Sequence, residues 1–398
     1  MKTLFAALSL SLAASSPAVL AHAHSAYSHD SNFSYRHPKW MGLLDDGLTV
    51  SQLSLPGTHD TMSRYGGDSV ATQTLPLRTQ LDAGVRAFDI RLRSIANSFA
   101  IHHGPVFQQA MFGDVLNDMS AFLRANPSET LFVRVKEEHT PENSSMSFQQ
   151  IFESYYNRYS GYIAIPASNN PSLREVRGKI VFLQNFSSSK RYGISYGAYN
   201  IQGQYSVSTN WDLYGKWEKI KAHLNQANTG PRGNGYINYL TASGGSFPYF
   251  IASGHSNPAT GAPRLATGLT TPGWKNSYPD FPRVNCFIGI CTIAFEGSNV
   301  LTQEYIQRQR PAYAGMVMAD FPGPGLIDTL IQLNLKTCKR WSAGDRATLG
   351  DIYRYDNPYS KTVDYFRSRK SGGYWYFPTN QSSNGDWEYL GHASACRD

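Results

Sequence analysis

The run Val85–Arg93 (VRAFDIRLR) limits the choice of fold more than any other stretch of this chain. Asp89, Arg91 and Arg93 alternate with Phe88, Ile90 and Leu92. On a strand, successive side chains point to opposite faces, so one face is apolar and the other is charged. A buried unpaired charge is costly, so the charged face must see a cavity or solvent. Other apolar runs also end in polar groups: Leu131–Glu137, Lys179–Phe186, Tyr236–Thr241 and Ala314–Ala319, the last followed by Asp320. Leu48–Leu55 alternates with strand period, and Pro56-Gly57 is expected to end that strand and turn the chain. Helical spacing is read at Gly113–Ala125, Phe148–Tyr159, Trp217–Ala227 and Leu326–Leu335. Six or seven strands separated by helices predict an α/β fold, a β/α barrel or a doubly wound sheet, and the lengths favour a barrel of irregular form. Ser187–Asn210, Asn228–Asn234 and Ser253–Ser277, rich in Gly, Ser and Asn, are expected as loops at its mouth.

The ends of the chain differ in character from this middle. Residues 1–23 combine Met1-Lys2, a small and apolar run from Leu4 to Leu20, and Ala21-His22-Ala23. That is a secretory signal peptide, and the expected location is extracellular. Export suits four cysteines, which allow three pairings; the neighbours Cys286–Cys291 and Cys338–Cys396 are the expected pairs. Asn32, Asn143, Asn185 and Asn380 head N-x-[ST] sites. From Trp341 onward, twelve aromatics, Tyr374–Phe377 among them, lie between turn residues with little helical periodicity. Residues 24–340 are thus assigned to the barrel and 341–398 to a small β-rich appendage. Its aromatics either build a core of their own or present a sugar- or lipid-contacting face. The formal net charge of +7 suits an anionic surface, but no zinc-finger spacing, RNA-binding signature or long Lys/Arg run points to nucleic acid.

Candidate chemistry concentrates in Leu53–Gly104. His59 and Asp60 follow a strand-like run, and His102-His103 ends another. Adjacent residues face opposite ways, so only one of His102 and His103 can face the interior. Two sites that protonate near neutrality, with Arg91 as a fixed cation, can do acid–base work on a phosphodiester. Gly193–Gly197 matches G-x-S-x-G, but the strand before and helix after that the serine elbow needs are missing. No H-E-x-x-H, C-x-x-C or EF-hand loop is present, so neither metal nor cofactor is expected.

LSLPGTHD (Leu53–Asp60), AFDIRLR (Ala87–Arg93), IHHGP (Ile101–Pro105), NPSET (Asn126–Thr130), YINY (Tyr236–Tyr239) with Ser243–Gly245, and AGMVMADFP (Ala314–Pro322) occur in that order. Together they resemble the bacterial-type phosphatidylinositol-specific phospholipase C family across roughly residues 45–335. The resemblance implies a distorted TIM barrel that cleaves phosphatidylinositol, or its glycosylated forms, to diacylglycerol and inositol 1,2-cyclic phosphate. It implies His59 as base, oriented by Asp320, and His103 as acid, held by Asp89. Arg91 would neutralise the phosphorane oxygens, and Asp60 would bridge Arg91 and the leaving group. A calcium-dependent branch of the fold places a metal where Arg91 stands, so Arg91 implies metal independence. Lys136 and Tyr205 match head-group residues, whereas Asn185 and Gly203 replace an arginine and an aspartate of the family. The implied partner is a phospholipid at a membrane surface, met by a monomer, with glycan contact through the C-terminal segment. A competing reading is a secreted glycan- or membrane-binding barrel with weak catalysis.

Overall fold

The structure is a computed structural model that describes residues 24–341, 346–373 and 381–397. The expected signal peptide, Tyr374–Phe377 and Asn380 lie outside the described residues. Eight parallel strands form the centre: β1 (Leu55–Thr58), β2 (Ala87–Ile95), β3 (Leu131–Glu137), β4 (Ile180–Asn185), β5 (Ile194–Ser195), β6 (Asn200–Gln202), β7 (Tyr236–Tyr239) and β8 (Met316–Ala319). The ladder runs β5-β4-β3-β2-β1-β8-β7-β6 and is unpaired only between its two end strands. Those ends, β5 and β6, are joined by a single 3₁₀ turn at Tyr196–Ala198. This is a β/α barrel of the TIM type, distorted by one break in its wall.

Helices Leu77–Ala83, Phe112–Ala125, Phe148–Tyr159, Leu213–Thr229, Ser298–Gln309 and Pro324–Gln332 cover the sheet. Helix Phe112–Ala125 illustrates why they form. Val115, Met119, Phe122 and Leu123 recur on one face and are buried, and the Asp114 carboxylate accepts the Met111 amide at 2.8 Å. The inward faces of the strands change from apolar to polar toward their C-terminal ends: Ala87-Asp89-Arg91, Phe132-Arg134-Lys136, Ile237-Tyr239 and Met318-Asp320. Apolar residues close the floor of the barrel, and the polar ones above them line its mouth.

Three expectations from the sequence are corrected by the fold. The strand read at Leu48–Leu55 begins only at Leu55, because Val50–Gln52 turns as a 3₁₀ helix with Gln52 capping Thr49. Pro56 and Gly57 lie inside β1 rather than ending it. Gly57 is required there by close packing, since a Cβ would meet the Met318 sulfur at 2.5 Å. Ser253–Ser277 is not all loop. Ala266–Thr271 pairs with Ile290–Ala294, which pairs with Arg283–Phe287, making a three-stranded antiparallel sheet between β7 and helix Ser298–Gln309.

Both disulfides expected from neighbourhood are present, Cys286–Cys291 and Cys338–Cys396. The C-terminal sheet has the order Lys339–Arg340, Ile352–Asp356, Val363–Ser368, Trp387–Gly391. Trp341, Tyr353 and Trp387 meet edge to face, with ring centroids 5.3 to 5.7 Å apart, so these aromatics build a core. This sheet docks beside residues 36–43 and the end of helix Pro324–Gln332, where Ser394 O meets His37 Nε2 at 2.7 Å and Ser394 Oγ meets Gln332 Nε2 at 3.2 Å. Trp40 in that segment donates to Gly84 O just before β2, which places the appendage at the barrel's N-terminal end, opposite the mouth.

Candidate active site

Four strand ends converge on one cavity of about 400 Å³. His59 is the first residue past β1, and Asp320 is the first past β8; their registers pair Thr58 with Ala319. His59 Nδ1 lies 2.8 Å from Asp320 Oδ1, and its Nε2 lies 2.7 Å from Arg91 Nη2. A guanidinium can only donate, so Nε2 must be the accepting nitrogen and Nδ1–H donates to Asp320. Burial holds His59 well below the ordinary histidine range, and the Arg91 charge adds to this. Burial also raises the proton affinity of Asp320.

Asp60 turns the chain with φ +41°, and Thr61 N donates to Asp89 O at 2.9 Å. The Asp60 Oδ2 oxygen is 3.2 Å from Arg91 Nη1 and 3.0 Å from His103 Nδ1. His103 comes from an antiparallel excursion after β2, where Ser98–His103 pairs back on it. The Ser63 hydroxyl also lies 3.0 Å from His103 Nδ1, and it donates to Val70 O, so Nδ1 is the donor of that pair. Burial pushes the Asp60 carboxyl up to about 7 against the opposing Arg91 charge. Burial and Arg91 both lower His103. One guanidinium therefore sits between two imidazoles, touching the first directly and the second through Asp60.

The partner of His103 is a correction. The resemblance implied that Asp89 holds it, but Asp89 is taken by two arginines, Arg91 Nη2 at 3.3 Å and Arg134 Nη1 at 3.2 Å. Burial opposes the Asp89 charge, yet Arg134 and Arg91 hold this carboxyl well below the usual range. Asp60, nearer in the turn, is left to face His103. His102 points the other way, buried with both ring nitrogens unpartnered and packed near Phe107. Arg93 does not reach the cavity; it is held at the rim by Glu142 and Thr140 O.

Lys136 and Tyr205 both line the cavity, Lys136 with its ammonium 2.8 Å from Glu138 and Tyr205 four-fifths exposed at the rim. Gly203 lines it too. Arg134 was not singled out from the sequence, although it shares a strand face with Lys136. Its guanidinium lies over the Tyr196 ring at 4.5 Å and donates twice to Asn185 Oδ1, at 2.9 and 2.8 Å. Arg134 thus places a guanidinium against Asn185. Tyr196 and Tyr239 join hydroxyls at 2.8 Å across the open part of the wall. Ser195 of the G-x-S-x-G match lies on a two-residue strand and lines a separate surface hollow. Among the described residues, no group of three or more His, Cys, Asp or Glu side chains is disposed to hold a metal ion.

Residues 58–185 match the family model described as phosphatidylinositol-specific phospholipase C, X domain. The chain is 33% identical over 286 residues to the 1-phosphatidylinositol phosphodiesterase of Staphylococcus aureus strain Newman, covering 63% of this chain and 90% of that protein. It is 38% identical over 190 residues to the protein of the same name from Listeria monocytogenes, covering 42% of this chain and 58% of that one. The solved phosphatidylinositol-specific phospholipase C of Listeria monocytogenes superposes with a TM-score of 0.54 at 26% identity, over 75% of this chain and 98% of that one.

Proposed function

The chain belongs to the bacterial phosphatidylinositol-specific phospholipase C family, and from that premise we propose that it cleaves phosphatidylinositol by metal-independent acid–base catalysis between His59 and His103. The observation that carries this reading is the single line of contacts His59–Arg91–Asp60–His103 across one cavity.

The inositol 2-hydroxyl lies cis to the phosphodiester, so attack on phosphorus is intramolecular and gains from proximity. When a phosphate oxygen takes the Arg91 N–H, the His59 Nε2 lone pair is freed to accept the 2-hydroxyl proton. Asp320 steadies the imidazolium that forms. The new oxygen–phosphorus bond forms as the bond to the diacylglycerol oxygen breaks, and that oxygen takes a proton from His103. Asp60, whose carboxyl titrates near neutrality, supports His103 in that role. Arg91 and Lys136 balance the extra charge on the phosphorane oxygens. The products are diacylglycerol and inositol 1,2-cyclic phosphate. Arg134, Asn185 and Tyr205 form the head-group side, and the replacements at Asn185 and Gly203 make a glycosylated inositol lipid a substrate to test beside the plain one.

Export through residues 1–23 fits the two disulfides, which persist in oxidising compartments. No helix among the described residues is long and apolar enough to cross a membrane. We divide the chain into a leader (1–23), a catalytic barrel (24–340) and an accessory segment (341–398). The accessory segment could contact glycans only away from the mouth, and the barrel acts as a monomer.

The test is turnover of phosphatidylinositol vesicles in excess chelator by wild type, His59→Ala and His103→Ala. Each variant is expected to lose at least about a hundredfold in kcat, the usual scale for a general acid or base. A near-wild-type rate in either variant removes that histidine from its role, and loss of wild-type activity with chelator removes metal independence. A weakly catalytic binding protein would instead retain vesicle affinity and form no cyclic product.

A further inference from the structure

The short arm Ser25-Ala26-Tyr27-Ser28 is small or polar at three of its four positions, yet the fold buries Ala26, Tyr27 and Ser28. Buried backbone must find hydrogen-bond partners, and this arm finds them in one place. Ser28 N donates to Phe321 O at 3.1 Å, and Tyr27 forms an antiparallel bridge with Pro322. Gly323 N donates to Ala26 O at 2.8 Å, and Gly325 N to Ser25 O at 2.7 Å. The first amides of a helix have no partner within it, and here the arm's carbonyls serve those that open helix Pro324–Gln332. The contact is close enough to dictate sequence on its other side. A Cβ at Gly323 would meet Ser25 O at 2.3 Å and Tyr27 N at 2.7 Å.

The turn beneath the arm begins at the residue after Asp320. Phe321 holds φ +46°, a conformation that an aromatic residue keeps only where its surroundings over-determine it. The arm supplies those surroundings. The Tyr27 ring meets Phe321 edge to face at 6.0 Å, and the next residue but one, His29, lies 4.8 Å from the same ring. Tyr27 is itself anchored by its hydroxyl, which donates to Pro258 O at 2.6 Å. The buried Asn299 carboxamide ties arm and turn together, donating to Asp320 O at 2.8 Å and to Ala26 O at 3.4 Å. A second path leads back to the histidine. Phe321 N donates to Thr72 O at 2.9 Å, and the Thr72 hydroxyl reaches the carbonyls of His59 and Asp60 at 3.3 and 3.0 Å.

Strand β8 is fixed in register by β1 and β7, so the direction in which the chain leaves Asp320 is set at Phe321. We propose that Ser25–Ser28 is a positioning element for the reaction: by fixing the turn at Phe321 it holds the Asp320 carboxyl in register with His59 Nδ1. This rests on the acid–base reading for what His59 does, whereas the link from arm to Asp320 stands on the contacts alone. An arm that merely covered the barrel would change stability and leave the His59–Asp320 contact as it is. An arm that positions Asp320 must change that contact, and with it kcat, before it changes substrate binding.

Two variants lift the arm from opposite sides. Tyr27→Ala acts from the arm, and Gly323→Ala acts from the turn without removing a group from either. Each is expected to lower kcat on a soluble short-chain phosphatidylinositol at least about tenfold, because a small misplacement of a catalytic group is costly. KM is expected to stay within threefold, since Arg91, Arg134 and Lys136 lie outside the contact. Tyr27→Phe keeps the ring on Phe321 and is expected to retain kcat within twofold of wild type. The readout that separates positioning from stability is the proton on His59 Nδ1, a downfield magnetic resonance signal assigned by its loss in His59→Ala. It is expected in wild type and Tyr27→Phe, and lost or moved upfield in Tyr27→Ala and Gly323→Ala at a temperature where all are folded. Should Tyr27→Ala fail to fold, Ser28→Pro, which deletes only the donor to Phe321 O, takes its place with the same expected outcome. Absence of the signal from wild type, unchanged kcat in Gly323→Ala, or a lowered kcat with the signal intact overturns the proposal. If the variants lose the signal but wild type forms no product from phosphatidylinositol, the functional reading fails and the positioning of Asp320 stands.

Discussion

At the scale of single residues, the proposed acid–base roles rest on proton affinities that are set apart. In the proposed role of base His59 must be neutral, and its lowered proton affinity favours that form. The acid side must carry a proton, and Asp60, at about 7, loses its own as pH rises through that value. The expected kcat/KM profile therefore stays high on the acid side of pH 6.5 and declines as pH rises past about 7. A profile that instead rises from pH 6 to 8 would contradict the assignment of acid and base. Asp60→Asn is expected to lower kcat and remove the decline near 7, as measured by the same profile on soluble substrate. Arg91 contacts His59, Asp60 and Asp89 with a planar fork that an ammonium cannot copy. Arg91→Lys is accordingly expected to cost at least about a hundredfold in kcat, on the scale of losing one preorganised donor in a transition state. Little change in kcat would show that the guanidinium geometry is not used. Asp89, Arg91 and their side of β2 were legible from the alternation of one strand. The partner of His103 was not, because it depends on Asp60 turning with a positive φ and on Arg134 occupying Asp89.

At the scale of elements, the strands bring polar ends together only because their other ends are locked. Arg86, immediately before β2, is wholly buried against Glu129 before β3, at 3.0 Å from Nε and 2.8 Å from Nη2. Its remaining donors go to carbonyls of Leu81, Val85 and Pro38. Glu129→Ala would leave this guanidinium buried without a counter-charge, a change that costs about 3–5 kcal/mol. Urea titration is expected to show that loss as a lower midpoint with an unchanged slope, and a shift under about 1 kcal/mol would mean water reaches Arg86. Helices Phe112–Ala125, Phe148–Tyr159, Leu213–Thr229 and Pro324–Gln332 were readable from their apolar spacing, whereas Leu77–Ala83 and Ser298–Gln309 were not read. Strands β5 and β6 were not, since two or three residues carry no periodicity. The β1 boundary was misplaced because Pro-Gly ordinarily signals a turn, whereas here Gly57 is dictated by Met318 across the barrel floor.

At the scale of the whole molecule, the two ends of the barrel carry different features. The strand ends carry the cavity and the inserted hairpin, and the opposite end carries the appendage. Cys338–Cys396 closes a loop of 58 residues around that appendage, which in the chain-entropy model stabilises it by about 4 kcal/mol. Replacing both cysteines with serine is expected to lower the thermal stability of the appendage while kcat/KM on soluble substrate stays within twofold. A large loss of kcat/KM would mean that the appendage supports the cavity from below. The inserted sheet escaped sequence reading for a related reason: its strands are bulged, short and rich in Gly, Ser and Asn neighbours. The most direct measurement of the central claim is phosphorus NMR during the first turnovers of phosphatidylinositol in excess chelator. Two imidazoles sharing one guanidinium predict a five-membered cyclic phosphate as the first product, with the linear monophosphate following later. A linear phosphate formed first, or no product until a divalent metal is restored, would contradict it.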